Sequence, residues 1–271
     1  MAHRRVVVAA DAVELAELVA DKFLVRAKKC IRRQGSFRVV LAGGGIAQQV
    51  LEAIGRHPSV AELDWRLVDV WWGDERFVDY DSAERNDLPA IAILSTLGVP
   101  AEHIHRVPSP ADAADVSEAA SRYATQLQAV ALPGEVWPEF DLGFAGMGPD
   151  AHVLSIFPGS PHALITAPDV VAVDHSPKPP AQRVSMTIGL LARAHRVWIV
   201  VSGPEKAAGL GLALANANPR EVPASAVRGS ESTKIFTDSA LAELLPPELI
   251  AREAFWSADD ERADYVPKAL R

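Results

Sequence analysis

The sequence of 271 residues has one cysteine, no long apolar run and no excess of basic side chains. The single cysteine, Cys30, excludes an internal disulfide and favours a reducing compartment. No apolar stretch approaches the roughly 20 residues that span a bilayer, so we expect no membrane segment and a cytoplasmic protein. With 35 acidic and 27 basic side chains the formal charge is -8, which opposes binding to nucleic acid.

The motifs of several catalytic classes are also missing. The sequence contains no cysteine pair, no H-E-x-x-H and no acidic calcium loop, so we expect no metal site. It contains no G-x-S-x-G turn, which is the usual sign of a serine hydrolase of the α/β type.

Short apolar runs alternate with longer helical patterns along most of the chain. This alternation predicts an α/β fold that is Rossmann-like, with a mainly parallel sheet and helices on both faces. The predicted strands are Arg5–Ala9, Phe37–Ala42, Arg66–Trp72, Asp141–Ala145, Val170–Val173, Arg183–Thr187, Arg196–Val201 and Lys234–Thr237. The predicted helices run from an N-cap at Asp11 to near Gly35, and over Ile46–Ile54, Leu88–Leu97, Ala113–Val130, Glu205–Asn216 and Ser239–Leu245.

We expect residues 1–245 to form one α/β domain, because strands and helices resume directly after each proline-rich break. Residues 246–271 combine charged side chains with Phe255, Trp256 and Tyr265, and we interpret them as an extension docked on that domain. The sequence says nothing about oligomeric state, and a monomer is the expectation.

Three glycines, Gly43, Gly44 and Gly45, lie between a predicted strand and a predicted helix. Ligands of open α/β sheets bind beyond the carboxyl ends of the strands. Glycines there let the backbone approach a ligand, and the N–H groups at the helix start form an anion site. Since the segment is neither G-x-G-x-x-G nor a Walker sequence, a turn selected for conformation alone is an equal interpretation.

Charged residues follow the next apolar strand at Asp74, Glu75 and Arg76, and Arg85 lies at the end of the polar loop after them. A buried strand directs such residues to the sheet edge, where a cleft would lie. They could instead pair among themselves and fix the loop. We favour a role in substrate binding.

His152 is the strongest candidate for a general base among the eight histidines. It follows a glycine-rich strand end and lies two residues from Asp150. A neutral imidazole, with a pKa of about 6.5, takes a proton from water at neutral pH. Further along the chain, Arg183 and Lys206 lie near strand ends and are candidates to neutralise a phosphate held by the glycines.

These segments together resemble the motifs of the 6-phosphogluconolactonase family, in the family's order and over roughly residues 5–245. The related glucosamine-6-phosphate deaminases and isomerases carry similar glycine-rich turns on the same fold, so the resemblance implies a glucosamine-6-phosphate deaminase-like fold. The matching segments are Trp72–Arg76, Arg85–Asn86, Gly146–His152, Ser155–Gly159 and Ser202–Lys206.

The resemblance implies hydrolysis of 6-phospho-D-glucono-1,5-lactone to 6-phospho-D-gluconate in the pentose phosphate pathway, without a metal or organic cofactor. It implies His152 as the base and Arg76 as a substrate contact. In the catalytic mechanism that we expect, Arg76 steadies the polar end of the substrate or the developing oxyanion, and either Asp74 or Asp150 orients the histidine. One alternative is a sugar-phosphate isomerase or deaminase of the same superfamily. Another is a sugar-phosphate sensor, although the first strand begins too early to leave room for a DNA-binding segment before it.

Two departures from the family pattern bear on these expectations. The glycine loop continues as Ile46-Ala47, where the family usually has a Ser or Thr hydroxyl, so phosphate binding would depend on backbone N–H groups and cations. Ala151 replaces a usual glycine and Val153 a usual small hydroxyl residue. The alanine restricts the backbone beside His152 if that position requires a positive φ.

Overall fold

The computed structural model describes residues 4–250, which form two β-sheets with helices packed against them. The strands are β1 (Arg4–Ala9), β2 (Phe37–Leu41), β3 (Val68–Trp72), β4 (Asp74–Arg76), β5 (Phe140–Ala145), β6 (Val170–Val173), β7 (Arg183–Met186), β8 (Ala194–Val201) and β9 (Ser232–Asp238). The α-helices are α1 (Ala12–Gln34), α2 (Gly45–Arg56), α3 (Leu88–Leu97), α4 (Val116–Ala129), α5 (Ile188–Leu191), α6 (Ala207–Leu214) and α7 (Ser239–Ala242).

Helix α1 begins and ends where its sequence predicts. The carboxylate of Asp11 accepts the N–H groups of Val13 and Glu14 at 2.9 Å, which satisfies two donors of the first turn. Gly35 ends the helix at φ 79°, and its N–H bonds to the carbonyl of Ile31. The helix therefore packs a defined apolar face, including Leu15, against the sheet.

The main sheet has six parallel strands in the order β1-β9-β8-β5-β2-β3. Its inner strands are buried on both sides, which explains why they are nearly continuous apolar runs. β3 lies on one side of β2 and β5 on the other, so the chain changes direction across the sheet between β2 and β5. In an open α/β sheet a crevice forms at this point, beyond the carboxyl ends of the strands. The predicted parallel α/β fold is confirmed.

A second sheet of three antiparallel strands, β4-β7-β6, was not predicted as a separate unit. We expected β6 and β7 to belong to the parallel sheet, and β4 was missed because three charged residues carry no strand pattern. The chain passes between the two sheets at Gly73, whose N–H bonds to Leu41 of β2 while its carbonyl accepts from Met186 of β7.

Other predicted boundaries need correction where capping or a tight turn intervenes. The helix predicted from Ala113 begins at Val116, because Asp115 accepts the N–H of Glu118 as its N-cap. The helix predicted over Glu205–Asn216 is a short 3₁₀ turn, Pro204–Lys206, followed by α6, and the one predicted over Ser239–Leu245 ends at Ala242.

We predicted that residues 246–271 dock on the domain. The part of this segment after Ile250 lies outside the described residues. Within residues 4–250, none of the helices combines the length and the apolar composition that crossing a bilayer requires.

Candidate active site

A cleft of about 680 Å³ lies at the carboxyl edge of the main sheet, at the change of direction between β2 and β5. Its walls come from segments that follow the neighbouring strands β3, β2, β5 and β8, and from β7 of the second sheet. The predicted site residues that line it are Gly43, Gly44, Gly45, Asp74, Arg76, His152, Arg183 and Lys206. Residues separated by up to 163 positions in the chain therefore meet in one cleft, as the parallel topology requires.

The glycine turn fits an anion site for reasons of space and conformation. Gly44 is the N-cap of α2 at φ 103°, a region that favours glycine, and no side chain caps this helix start. A Cβ at Gly43 would lie 1.9 Å from Oδ1 of Asn86. The N–H groups of the first turn of α2 are thus left for a ligand with negative charge.

His152 and Asp150 form a hydrogen-bonded pair at the mouth of the cleft. Nδ1 of His152 lies 2.5 Å from Oδ1 of Asp150. An ionised carboxylate only accepts, so Nδ1 carries the proton and donates it, which makes Nε2 the basic nitrogen. Among the described residues, Nε2 has no hydrogen-bond partner, and it is therefore available to accept a proton from water.

The surroundings of His152 keep its imidazole neutral. Burial lowers its pKa below the usual 6.5, and this effect outweighs the hydrogen bond and the charge of Asp150, which raise the pKa. The ring packs against Phe157 with 4.5 Å between centroids, and the Lys178 ammonium lies 3.4 Å from Nδ1. His152 is consequently in its base form at neutral pH.

The loop that presents this pair has a constrained backbone. Gly148 lies against the side chains of the pair, since a Cβ there would meet the imidazole of His152 at 2.2 Å and the carboxylate of Asp150 at 2.5 Å. Ala151 has φ 63° and Leu154 has φ 56°, both in the left-handed region. The expectation that Ala151 would restrict the backbone is confirmed, because an alanine occupies a conformation that glycine adopts without strain.

Three cationic side chains face the same cleft. Arg76 and Arg183 lie opposite each other in the β4–β7 pair, and Lys206 projects from the turn after β8. Burial lowers the pKa of Lys206 and of Arg183, and this effect outweighs the nearby carboxylates, which raise both pKa values. Within residues 4–250, Nε of Arg76 is buried without a hydrogen-bond partner. This grouping suits a phosphate, which accepts several charge-assisted hydrogen bonds.

Asp74 also lines the cleft, but it is not bonded to the histidine. Its carboxylate accepts the hydroxyl of the buried Ser155 at 2.6 Å. The side chain is only 8% exposed, so its orientation is fixed by that bond. Of the two carboxylates considered for orienting His152, it is Asp150 that contacts the ring.

Glu75 and Arg85 lie beneath the cleft rather than in it, which corrects the expectation that they contact substrate. The Glu75 carboxylate accepts the N–H groups of Arg76, Asn86 and Asp87 at 2.7–2.9 Å. Arg85 pairs with Asp87 at 2.8 Å, and both side chains of that pair are fully buried. Burial raises the pKa of Glu75 to about 7, with Arg85 opposing it. These groups fix the loop that carries Arg76.

Asn86 and Lys178 were not predicted as site residues. Asn86 accepts from Nη1 of Arg76 at 2.7 Å and donates to the carbonyl of Asp74 at 3.0 Å, so it joins the two ends of β4. Asn86 belongs to Arg85–Asn86, one of the segments that resemble the family motifs, and this resemblance could have indicated it as a site residue. Lys178 reaches the histidine from a loop 26 positions along the chain, and no local pattern indicates this.

Acid–base and anion-binding groups therefore dominate the site. Among the residues that the structure describes, no group of three or more His, Cys, Asp or Glu side chains is placed to hold a metal ion. A parallel sheet with an anion-binding glycine turn and a histidine–carboxylate pair at its switch point defines an α/β enzyme for a small phosphorylated substrate.

The chain belongs to the family described as glucosamine-6-phosphate isomerases/6-phosphogluconolactonase, whose sequence model matches residues 10–236. It is 34% identical over 250 residues to the 6-phosphogluconolactonase of Streptomyces coelicolor, covering 90% of this chain and 96% of that protein. It is 37% identical over 219 residues to the 6-phosphogluconolactonase of Mycobacterium tuberculosis, covering 80% of this chain and 88% of the relative.

The fold is similar to solved structures of the same family. The structure of 6-phosphogluconolactonase from Trypanosoma brucei superposes with a TM-score of 0.79 at 25% sequence identity. The match covers 91% of this chain and all of the other. The predicted family and its fold are thus confirmed by sequence and by structure.

Proposed function

We propose that this protein hydrolyses 6-phospho-D-glucono-1,5-lactone to 6-phospho-D-gluconate in the pentose phosphate pathway. The observation that carries the proposal is that one cleft holds both the His152–Asp150 pair and the glycine turn. A lactone with a phosphate at the far end of its ring needs a base and an anion site at one ring's separation. The relatives named 6-phosphogluconolactonase support the choice of substrate.

In this mechanism the phosphate binds to the N–H groups at Gly43–Gly45 and to the cations Arg183 and Lys206. The two cations compensate for the absent Ser or Thr hydroxyl after the glycines. Fixing the phosphate orients the lactone carbonyl toward His152, which lowers the entropic part of the barrier.

His152 then removes a proton from water through Nε2 as the water oxygen attacks the lactone carbonyl carbon. Asp150 stabilises the imidazolium that forms, and Arg76 stabilises the developing oxyanion. When the tetrahedral intermediate collapses, the ring C–O bond breaks and the imidazolium returns its proton to the ring oxygen. The product is the open-chain acid, and His152 is again neutral. General-base catalysis of this kind contributes about 10²–10⁴-fold.

The decisive test compares the wild-type protein with His152→Asn on freshly prepared lactone, with acid release measured after subtraction of the uncatalysed rate. We expect kcat to fall by about 10²–10⁴-fold with unchanged thermal unfolding. His175→Asn is the matched control, because His175 is exposed and does not line the cleft. Undiminished turnover by His152→Asn would contradict the assignment of the base.

The alternatives are separated in the same experiment. An isomerase or deaminase would release ammonia from glucosamine 6-phosphate, whereas a lactonase releases only acid from the lactone. A sugar-phosphate sensor would bind 6-phosphogluconate in a calorimetric titration and turn over neither compound.

We further propose that the reaction proceeds without a metal or other cofactor in a monomeric, cytoplasmic protein, with residues 1–245 acting as one catalytic domain. A neutral imidazole already generates the nucleophile, so the chemistry requires no metal-bound hydroxide. We expect full activity after dialysis against EDTA and a single monomer mass in light scattering. Loss of activity that Zn²⁺ or Mg²⁺ restores would overturn the metal-independent mechanism.

A further inference from the structure

A lysine from the second sheet reaches the catalytic pair. Lys178 lies in the connection between β6 and β7, and its ammonium is 3.3 Å from Oδ1 of Asp150 and 3.4 Å from Nδ1 of His152. The same carboxylate oxygen therefore bonds the imidazole on one side and faces the ammonium on the other. The pair is in fact a cluster of three charged or titratable groups.

Hydrogen bonds hold the backbone of Lys178 in place. Its carbonyl accepts Nη2 of Arg183 at 2.9 Å and the hydroxyl of Ser176 at 2.8 Å. The N–H of Ser176 bonds to the carbonyl of Ala181 at 2.9 Å, which closes the loop on itself. These bonds hold the backbone of Lys178 at a place from which its ammonium reaches the imidazole.

The charges around the imidazole come from three elements. Asp150 lies on its own loop and Asp74 belongs to β4, and both carboxylates favour the protonated ring. Lys178 is the cation in contact with the ring, and it opposes them. The other cleft cations, Arg183 and Lys206, lie on β7 and on the turn after β8. Without Lys178 the imidazole would face two carboxylates with no contacting positive charge.

We propose that Lys178 is a positioning residue that holds Asp150 against Nδ1 of His152 and keeps the imidazole neutral beside the two carboxylates. The role rests on the proposed function, in which a neutral His152 is the base. The ammonium also stays close to Asp150 throughout turnover, whether the ring is neutral or an imidazolium. The lysine thus limits how tightly the histidine holds its proton.

The pKa directions agree with this geometry. The pKa of His152 is lowered first by burial, and the charge of Lys178 lowers it further. The pKa of Asp150 is also lowered: burial opposes the shift, while the hydrogen bond to His152 and the contact with the Lys178 ammonium favour it.

The test compares Lys178→Met, which keeps the stem without the charge, with Lys178→Arg, which keeps the charge. Lys29→Met on α1 is the control for net charge, because Lys29 is exposed and does not line the cleft. The pKa of His152 is read directly from NMR titration of its ring signals, assigned by their loss in His152→Asn. The acid limb of the kcat profile is measured in parallel, with thermal unfolding as a check on folding.

We expect Lys178→Met to raise the pKa of His152 by about half a pH unit to one unit, as a half-exposed charge at this distance would. The midpoint of the acid limb of kcat should move to higher pH by the same amount. Lys178→Arg and Lys29→Met should leave the pKa of His152 and this midpoint unchanged. Since the substrate is the same for every variant, titration of its phosphate cancels from the comparison.

Two results would overturn the proposal. One is an unchanged pKa of His152 in a folded Lys178→Met variant. The other is a rise in KM alone with an unmoved acid limb, which would make Lys178 a direct substrate contact. Because the NMR titration needs no turnover, it reports on Lys178 separately, and failure of the proposed function would appear instead as an inactive wild-type protein.

Discussion

Arg76 lies directly opposite Arg183 in the antiparallel pair of β4 and β7, and both side chains line the cleft. Like charges placed opposite each other across two strands are destabilising unless something neutralises them. In residues 4–250 neither guanidinium forms an ion pair, since their hydrogen bonds go to carbonyl groups and to Asn86. The second sheet thus brings two guanidinium groups without an ion-pair partner to the ligand-binding edge of the first.

This arrangement predicts that an anion stabilises the protein and that Arg76 contributes to its binding. We expect Arg76→Met to lower kcat/KM for the lactone by about 10–100-fold, which corresponds to one lost hydrogen bond to a charged group. Arg56→Met on α2 is the control, because Arg56 is exposed and distant from the cleft lining. Added 6-phosphogluconate should raise the unfolding temperature of the wild-type protein more than that of Arg76→Met. Equal stabilisation of both would contradict the role of Arg76.

The pH dependence of turnover follows from the lowered pKa of His152. The base must be neutral, and burial moves its pKa below 6.5, so the midpoint of the acid limb of kcat should lie below pH 6.5. The profile is measured for kcat, which reports the groups of the enzyme–substrate complex, because a phosphate monoester itself titrates near pH 6. An acid limb centred above pH 6.5 would contradict a neutral, partly buried base.

The chemistry-bearing segments could be located from the sequence because they follow apolar strands. In a parallel sheet all carboxyl ends share one edge, so the turn at Gly43 and the loop at His152 could be placed at the same edge from the sequence. That they are neighbours follows from the pairing of β2 with β5, which the structure shows. The choice of base depended on residue type and loop position, and neither requires knowledge of distant contacts.

The roles within Asp74–Arg76 could not be separated in the same way. Successive residues of a strand face opposite sides, so Asp74 and Arg76 face the cleft while Glu75 faces the interior. With β4 unrecognised, this alternation could not be applied, and Glu75 was grouped with its neighbours. Lys178 was missed for a related reason, because its contact with His152 depends on how a loop of the second sheet closes.

The buried position of Arg85 predicts a defect in stability rather than in substrate binding. Arg85→Met leaves Glu75 without its ion pair and Asp87 with Arg106 alone, and removing one partner of a buried ion pair costs about 3–5 kcal/mol. The free energy of unfolding, measured in urea, should fall by that amount, while KM of the folded fraction stays near the wild-type value. A raised KM with unchanged stability would instead place Arg85 among the substrate contacts.

The strained backbone at Ala151 predicts a substitution with an unusual sign. Replacing alanine by glycine normally costs stability, because glycine gains more freedom in the unfolded chain. At φ 63° the alanine bears a left-handed penalty of about 1–2 kcal/mol, which glycine avoids. The gain offsets the cost of added freedom and of one lost methyl group, so Ala151→Gly should unfold at equal or higher urea concentration than the wild-type protein.

Ala53→Gly provides the matched comparison, because Ala53 is also buried but lies within α2. There glycine relieves no strain, and the substitution should cost about 1 kcal/mol. Since Ala151 precedes His152 directly, turnover distinguishes two uses of the strain. Unchanged kcat in Ala151→Gly would show that the alanine only lowers stability, whereas a lower kcat in a more stable variant would show that the constrained backbone orients the imidazole. A loss of stability as large as that of Ala53→Gly would contradict the presence of strain at position 151.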